Sequence, residues 1–258
     1  MDLLSVSDLP DYLKILVYGK PDAGKTTFGC SGAIHPEFSP TVVMNIEDGL
    51  QSVRWAGKGL LRTPRITTPA QIEHVIRAAA SGAGAFAGCR CLVVDSLTKM
   101  SEIILRDIAV RGHAASPRNG GPTEIQLSDY NDLGNIMMRY VELLNSLDMH
   151  IVLVGLEKTV EDKPTKTITG ITVNLPGKLA DRVIAACDMV FALRKVPPTE
   201  DTEPSVAMLT QKTGLQDARV RNKELRQEID LVITNPTLPI VWDVYNRALE
   251  IGRASIEE

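Results

Sequence analysis

The residues with the plainest chemical potential are eight in a row, GKPDAGKT, from Gly19 to Thr26. They satisfy the pattern G-x-x-x-x-G-K-[ST] at every fixed position. Gly19 and Gly24 permit a backbone path that turns successive N–H groups toward one point. The positive end of the helix that follows adds to their pull on an anion. Lys20, Pro21, Asp22 and Ala23 form the loop between the glycines, and Thr27 closes the same cradle. Lys25 is placed to reach β- and γ-phosphates and the Thr26 hydroxyl to bind magnesium. The implied ligand is ATP with Mg²⁺, although nothing in the sequence marks a residue that would stack on adenine.

Two carboxylates complete this chemistry. CLVVDS (91–96) is an apolar strand ending at Asp95. An aspartate at the C-terminal end of a parallel strand faces the crevice that the phosphate loop also faces, and there it can hold Mg²⁺ through a water. Glu47 ends the run TVVMNIE and is suited to polarise a water beside the γ-phosphate. Asp48 competes for that role, but neighbouring strand-end positions point in different directions, which favours Glu47.

Elements that position these groups follow from hydrophobic patterning. LKILVYG (13–19), TVVMNIE (41–47), CRCLVVDS (89–96) and MHIVLVG (149–155) read as buried strands. The helix after the phosphate loop is expected from about Gly24 to Ala33. A second begins at Pro69 and carries Ile72, Val75, Ile76 and Ala79 at helical spacing. A third covers 97–112, with a loop over 113–123. A fourth, long and amphipathic, is capped by Ser128 or Asp129. Residues 156–177 read as polar and irregular. Two further strands, 187–195 and 205–212, are joined by VPPTEDTEP, and a helix follows NPTLP near the C-terminus. The expected fold class is α/β: a mainly parallel sheet with helices on both faces and an antiparallel edge. Residues 1–232 form the expected main domain and 233–258 a helical extension.

Composition narrows the alternatives. With 258 residues, a net charge of −4 and no basic excess, the chain does not suit coating of duplex DNA by bulk electrostatics. A local basic groove remains compatible with that total. No apolar run approaches the ~20 residues that span a bilayer, and the N-terminus lacks the pattern of a signal peptide. The expected location is therefore the cytoplasm. Cys30, Cys89, Cys91 and Cys187 form no CxxC pair and read as reduced thiols, and the four histidines are too scattered for a zinc site.

The phosphate loop, VVMNIEDGL and LVVDSL, in this order, resemble the RecA-like P-loop ATPases. The likeness is closer to phage-encoded, core-only members: single-strand annealing recombinases of the Sak type and related phage nucleotide-binding proteins of AAA type. EIQLSDYNDL (124–133), LEK (156–158) and LPGKLADRV (175–183) extend it to about residues 12–230. The resemblance implies an ATPase stimulated by oligomerisation or single-stranded DNA, in the host cytoplasm if phage-encoded. It implies a γ-phosphate sensor at Glu157 or Lys158. It implies DNA-facing loops at about 111–122, with Arg111, His113, Arg118 and Asn119, and at about 157–176, with Lys158, Lys163 and Lys166. Neither loop has an aromatic residue for stacking bases. DARVRNKEL (217–225) is similar to the basic motif that reaches a neighbour's nucleotide, with Arg219 and Arg221 as arginine fingers and Lys195 as a weaker candidate. Expected partners are single-stranded DNA, further copies in a ring or filament, and a single-strand-binding protein. Two other readings stand beside this one: a nucleotide-gated assembly or regulatory module without DNA affinity, and a small-molecule kinase. The kinase is disfavoured by the lack of a lid-like arginine cluster.

Overall fold

The computed structural model describes residues 12–117, 120–199 and 203–257. Its centre is a sheet in which Lys14–Gly19 (β1) lies between strands that occur far later in the chain. The strands are Thr41–Asn45 (β2), Leu60–Arg62 (β3), Cys91–Asp95 (β4), His150–Glu161 (β5), Ile168–Val173 (β6), Met189–Val196 (β7), Ser205–Leu209 (β8), Arg219–Val220 (β9) and Val232–Thr234 (β10). Their order is β10-β8-β7-β1-β5-β4-β2-β3, with β6 paired to β5 and β9 to β7. From β7 to β3 all neighbours are parallel, whereas β8, β9 and β10 join antiparallel at one side. The expected architecture is the one observed.

Burial on both faces explains why the central strands are continuous apolar runs. Leu16 and Tyr18 point into one core with Met44, Leu92 and Leu153, and Ile15 and Val17 point into the other with Phe28, Val93 and Phe191. Helices Pro69–Ser81 (α2), Leu97–Ala115 (α3), Leu127–Asn145 (α4) and Leu179–Ala186 (α5) cover the first face. Lys25–Cys30 (α1), Lys223–Glu228 (α6) and Leu238–Glu257 (α7) cover the second. The apolar stripe expected on α2, Ile72, Val75, Ile76 and Ala79, is the buried one. Its start is fixed by a capping box between Thr68 and Gln71, with Pro69 in the first turn.

Several boundaries differ from expectation. β2 stops at Asn45 because the N–H groups of Ile46 and Glu47 both turn to the carbonyl of Asp95. The first helix becomes a 3-10 turn at Ser31–Ile34. α3 continues three residues past Gly112, so Arg111 is helical and bonds Asp107 at 2.8 Å, one turn back. α4 starts at Leu127, and Asp129 accepts the N–H of Gln126 at 2.8 Å. The segment expected to be irregular is instead a hairpin of β5 and β6. Its β-branched residues suit a strand despite their polarity, and Asp162 closes the turn by accepting the N–H and hydroxyl of Thr165.

At the C-terminus, α7 packs onto the core through Leu238, Val241 and Val244. Trp242 meets Phe38 at 5.9 Å and His150 at 5.2 Å, edge to face, and stacks on Tyr245. No helix among the described residues is long and apolar enough to cross a membrane.

Candidate nucleotide site

β1 ends at Gly19, and the chain then turns through Ser/Thr-free loop residues into α1. Gly19 is required by proximity: a Cβ there would lie 2.4 Å from the Leu193 carbonyl of β7. Gly24 is required by conformation, with φ +83°. Asp22 also adopts a positive φ, which such a short polar residue tolerates. The loop therefore wraps one point at the start of α1. Lys25 sits there, buried, with its ammonium donating to the Lys20 carbonyl at 2.5 Å. Burial pushes its pKa down, while Glu47, Asp95, Glu157 and Asp22 pull it back up.

The two predicted carboxylates arrive from β4 and the end of β2. The Thr26 hydroxyl donates to Asp95 Oδ2 at 2.8 Å. Burial raises the Asp95 pKa, the Thr26 bond opposes this, and nearby Glu47 adds to the rise. Ser96 Oγ donates to Glu47 Oε1, and the Asp95–Ser96 peptide is cis. Pro21, Asp22, Gly24, Lys25, Thr26, Thr27, Glu47, Gly49, Ser52, Asp95, Leu156 and Lys195 line one cavity of about 530 Å³. Asp48 faces a different one, held by the Asn45 side chain.

The donor set fits magnesium. Thr26 and Asp95 offer a hydroxyl and a carboxylate oxygen, hard ligands too few to cage an ion alone, and Mg²⁺ keeps waters and phosphate oxygens in its shell. Among the described residues no group of three or more His, Cys, Asp and Glu could hold a metal by itself.

Other predicted positions are scattered. Glu157 and Lys158 stand at the root of the hairpin, where Lys158 turns inward to the Leu175 carbonyl. Lys163 and Lys166 are exposed at its turn. Arg118 and Asn119 lie outside the described residues. Arg219 and Arg221 do share one side of their segment, yet they sit at the opposite end of the sheet from Lys25. Arg219 donates to the carbonyls of Ala185 and Cys187. Arg221 donates to the same two carbonyls and pairs with Asp188 at 2.8 Å. Within one chain the basic residue of the later strands that reaches the cavity is Lys195, the weaker candidate.

Sequence reasoning missed two positioning groups. Ser96 holds the Glu47 carboxylate, and its only signal was its place in the D-S pair. Thr98, in the first turn of α3, accepts the Leu156 N–H at 3.0 Å and donates to the Asn174 carbonyl at 3.3 Å. It thereby ties the Asp95 strand end to both legs of the hairpin, and no local pattern announces it.

Fold and site together define an α/β protein with a phosphate loop for a nucleoside triphosphate. A family described as AAA domain matches residues 11–222, and the chain belongs to that family. Among solved structures it is similar to the flagellar accessory protein FlaH of Methanocaldococcus jannaschii, at 13% identity over 85% of this chain and 83% of that one, with a TM-score of 0.44. It is also similar to a KaiC-like protein of Pyrococcus horikoshii, at 13% identity over 78% and 79% of the two chains, with a TM-score of 0.45. The RadB recombinase follows at 11% identity over 76% and 79%, with a TM-score of 0.43. No curated protein matches the sequence.

Proposed function

We propose that the chain is a magnesium-dependent ATPase of phage DNA recombination or repair, which binds or anneals single-stranded DNA under the control of ATP. The observation that carries the hydrolytic part is the meeting of Lys25, the Thr26–Asp95 pair and Glu47 around one cavity. Backbone N–H groups from Gly24 to Thr27 bind the phosphates, and Lys25 supplies positive charge where it is shielded from water. Glu47, oriented by Ser96, takes the proton of the water that attacks the γ-phosphorus, and inorganic phosphate leaves from ADP. A magnesium ion bound with the nucleotide would be held by Thr26 and Asp95 and would neutralise phosphate charge. Lys195 faces the same phosphates from β7. Glu157 is the better sensor of the pair at the hairpin root, because Lys158 is committed to Leu175. Self-association is part of the reading, and Arg219 and Arg221 serve a neighbour's site only if assembly frees them from Ala185, Cys187 and Asp188.

One observation favours the second reading, a nucleotide-gated module without DNA affinity. Of the residues expected to touch DNA, Arg111 is paired with Asp107 and Lys158 points inward. Retention of a labelled single-stranded oligonucleotide, with and without a non-hydrolysable ATP analogue at low salt, separates the two. The recombination reading expects retention that the analogue strengthens. Absence of retention in both states contradicts it and leaves the module.

A further inference from the structure

Several exposed arginines are tied up in ion pairs: Arg77 and Arg139 with Glu73, Arg90 with Glu37, and Arg111 with Asp107. Arg106, Arg182, Arg194 and Arg247 are exposed without one among the described residues, but they are spread over separate elements. The stretch after the catalytic carboxylate differs. From Gly49 to Ile72 the sequence holds Arg54, Lys58, Arg62 and Arg65 and no acidic residue, in a chain whose net charge is −4. All four are exposed, and none has an ion-pair partner among the described residues. Unpaired cations in one stretch without acids repel one another, so the stretch is poised for an anion with several charges.

Two further observations shape that anion. Arg54 and Arg62 line a cavity of about 400 Å³ beside β3, whose other walls include Gln51, Gly57, Leu60 and Asp48. Asp48, the acid in this wall, is held by Asn45. Trp55, next to Arg54, is 48% exposed and has no aromatic or cationic partner among the described residues. A bare indole beside free guanidinium groups suits a chain of phosphates that carries unstacked bases. Duplex DNA fits poorly, since its base faces are covered. The same backbone also walls the nucleotide cavity, because Gly49 and Ser52 line that cavity while Leu50, Gln51 and Val53 line this one.

We propose that the groove lined by Arg54 and Arg62, together with Trp55 exposed next to Arg54 in the chain, is a binding site for single-stranded nucleic acid, separated from the triphosphate site only by residues 47–53. The arginines meet phosphates and Trp55 stacks a base. A nucleotide-dependent shift of the shared wall moves both cavities together, which couples ATP occupancy to grip on the strand. The proposal rests on the nucleic-acid reading above, but it places the contact in the segment after Glu47 rather than in the loops at 111–122 and 157–176.

The test uses the full chain carrying Trp242→Phe, which leaves Trp55 as the sole tryptophan, since the sequence has two. Oligo-dT is titrated in the presence of a non-hydrolysable ATP analogue. The proposal expects quenching of Trp55 emission. It expects affinity to fall about tenfold in Trp55→Ala and to recover in Trp55→Phe when binding is read by anisotropy of a labelled strand. It expects the slope of log affinity against log salt to shrink by about 0.7 for each of Arg54→Ala and Arg62→Ala. A matched pair, Lys163→Ala and Lys166→Ala, reports on the hairpin instead. If the parent binds the strand and only the hairpin variants weaken it, this site is wrong and the recombination reading survives. If the parent binds no strand in either nucleotide state, both fail. Light scattering of the same variants gives the remaining arm: a change in assembly mass with strand affinity untouched makes the patch a contact between copies and overturns the proposal.

Discussion

The two ends of the parallel sheet both carry charged groups and treat them in opposite ways. At the C-terminal ends of β1, β2 and β4, Lys25, Asp95 and Glu47 converge around a cavity, and burial pulls the Lys25 and Asp95 pKa values toward the neutral forms. At the N-terminal ends, the charges answer one another or the backbone. Lys14 donates to the carbonyls of Leu147 and Met149, at 2.7 and 2.8 Å. Arg219 and Arg221 close over the last carbonyls of α5. His150, almost fully buried, accepts the Leu13 N–H at 3.1 Å on Nδ1 and faces Glu37 with Nε2. Charge that is internally satisfied holds the fold; charge gathered without full satisfaction is available to a ligand.

The largest effect that could break this contrast is at Lys25. Lys25→Ala should lower both ATP affinity and turnover, the latter by on the order of 100-fold or more, in filter binding and phosphate-release assays. Unchanged affinity would remove the C-terminal end from the chemistry.

Arg221→Ala sharpens the other side. If the arginine is a structural clamp, the melt should show a loss of about 1–3 kcal/mol, because the Ala185 and Cys187 carbonyls and Asp188 lose a partner. ATPase activity per folded molecule should then hold. A large fall in turnover with an unchanged melt would instead make it an arginine finger.

The smallest effect is a pH dependence at the same end. Burial lowers the His150 pKa below its ordinary value of 6.5, with the Glu37 contact opposing. The unfolded chain then takes up a proton near pH 6.5 while the folded chain resists it, so stability should fall as pH drops below about 6.5. Glu37, whose pKa is lowered from 4.5 by His150 and Arg90 against the effect of burial, adds its own loss only at lower pH. Thermal melts of His150→Gln between pH 7 and 5 should be flatter than those of the parent, whatever the offset in stability. Equal slopes would show that His150 is not the acid-sensitive group.

How much of this was legible in the sequence depends on the range of each interaction. The phosphate loop and the Asp95 strand end are local patterns, and a reader of residues 13–26 and 89–96 meets all their determinants together. Glu47 was preferred to Asp48 on strand alternation, and the two do face different cavities. They lie past the end of β2 at Asn45, however, and a turn with Asp48 at φ +64° separates them rather than alternation. The β5–β6 hairpin was hidden because its outer residues are polar. Threonine and lysine mimic a loop when no buried stripe marks the strand, and the hairpin is recognisable only once Val173 is seen packed in the core. The contacts of Arg221 and Lys158 were unreadable for another reason: each is made with a partner many residues away, Asp188 for one and the Leu175 carbonyl for the other. Basic residues look alike in a sequence whether they are free or bound, and only the structure separates Arg54, Lys58, Arg62 and Arg65, which have no ion pair among the described residues, from Arg111 and Arg221, which do.

The proposed chemistry has the cavity at Gly19–Thr26 hydrolysing a triphosphate with Glu47 as base. Single-turnover release of phosphate from γ-labelled ATP by Glu47→Gln tests it directly, with ATP binding measured on the same sample. Binding should persist at parental affinity while the rate of release falls by roughly 10²–10⁴. Release at the parental rate would contradict the assignment and hand the proton to another group.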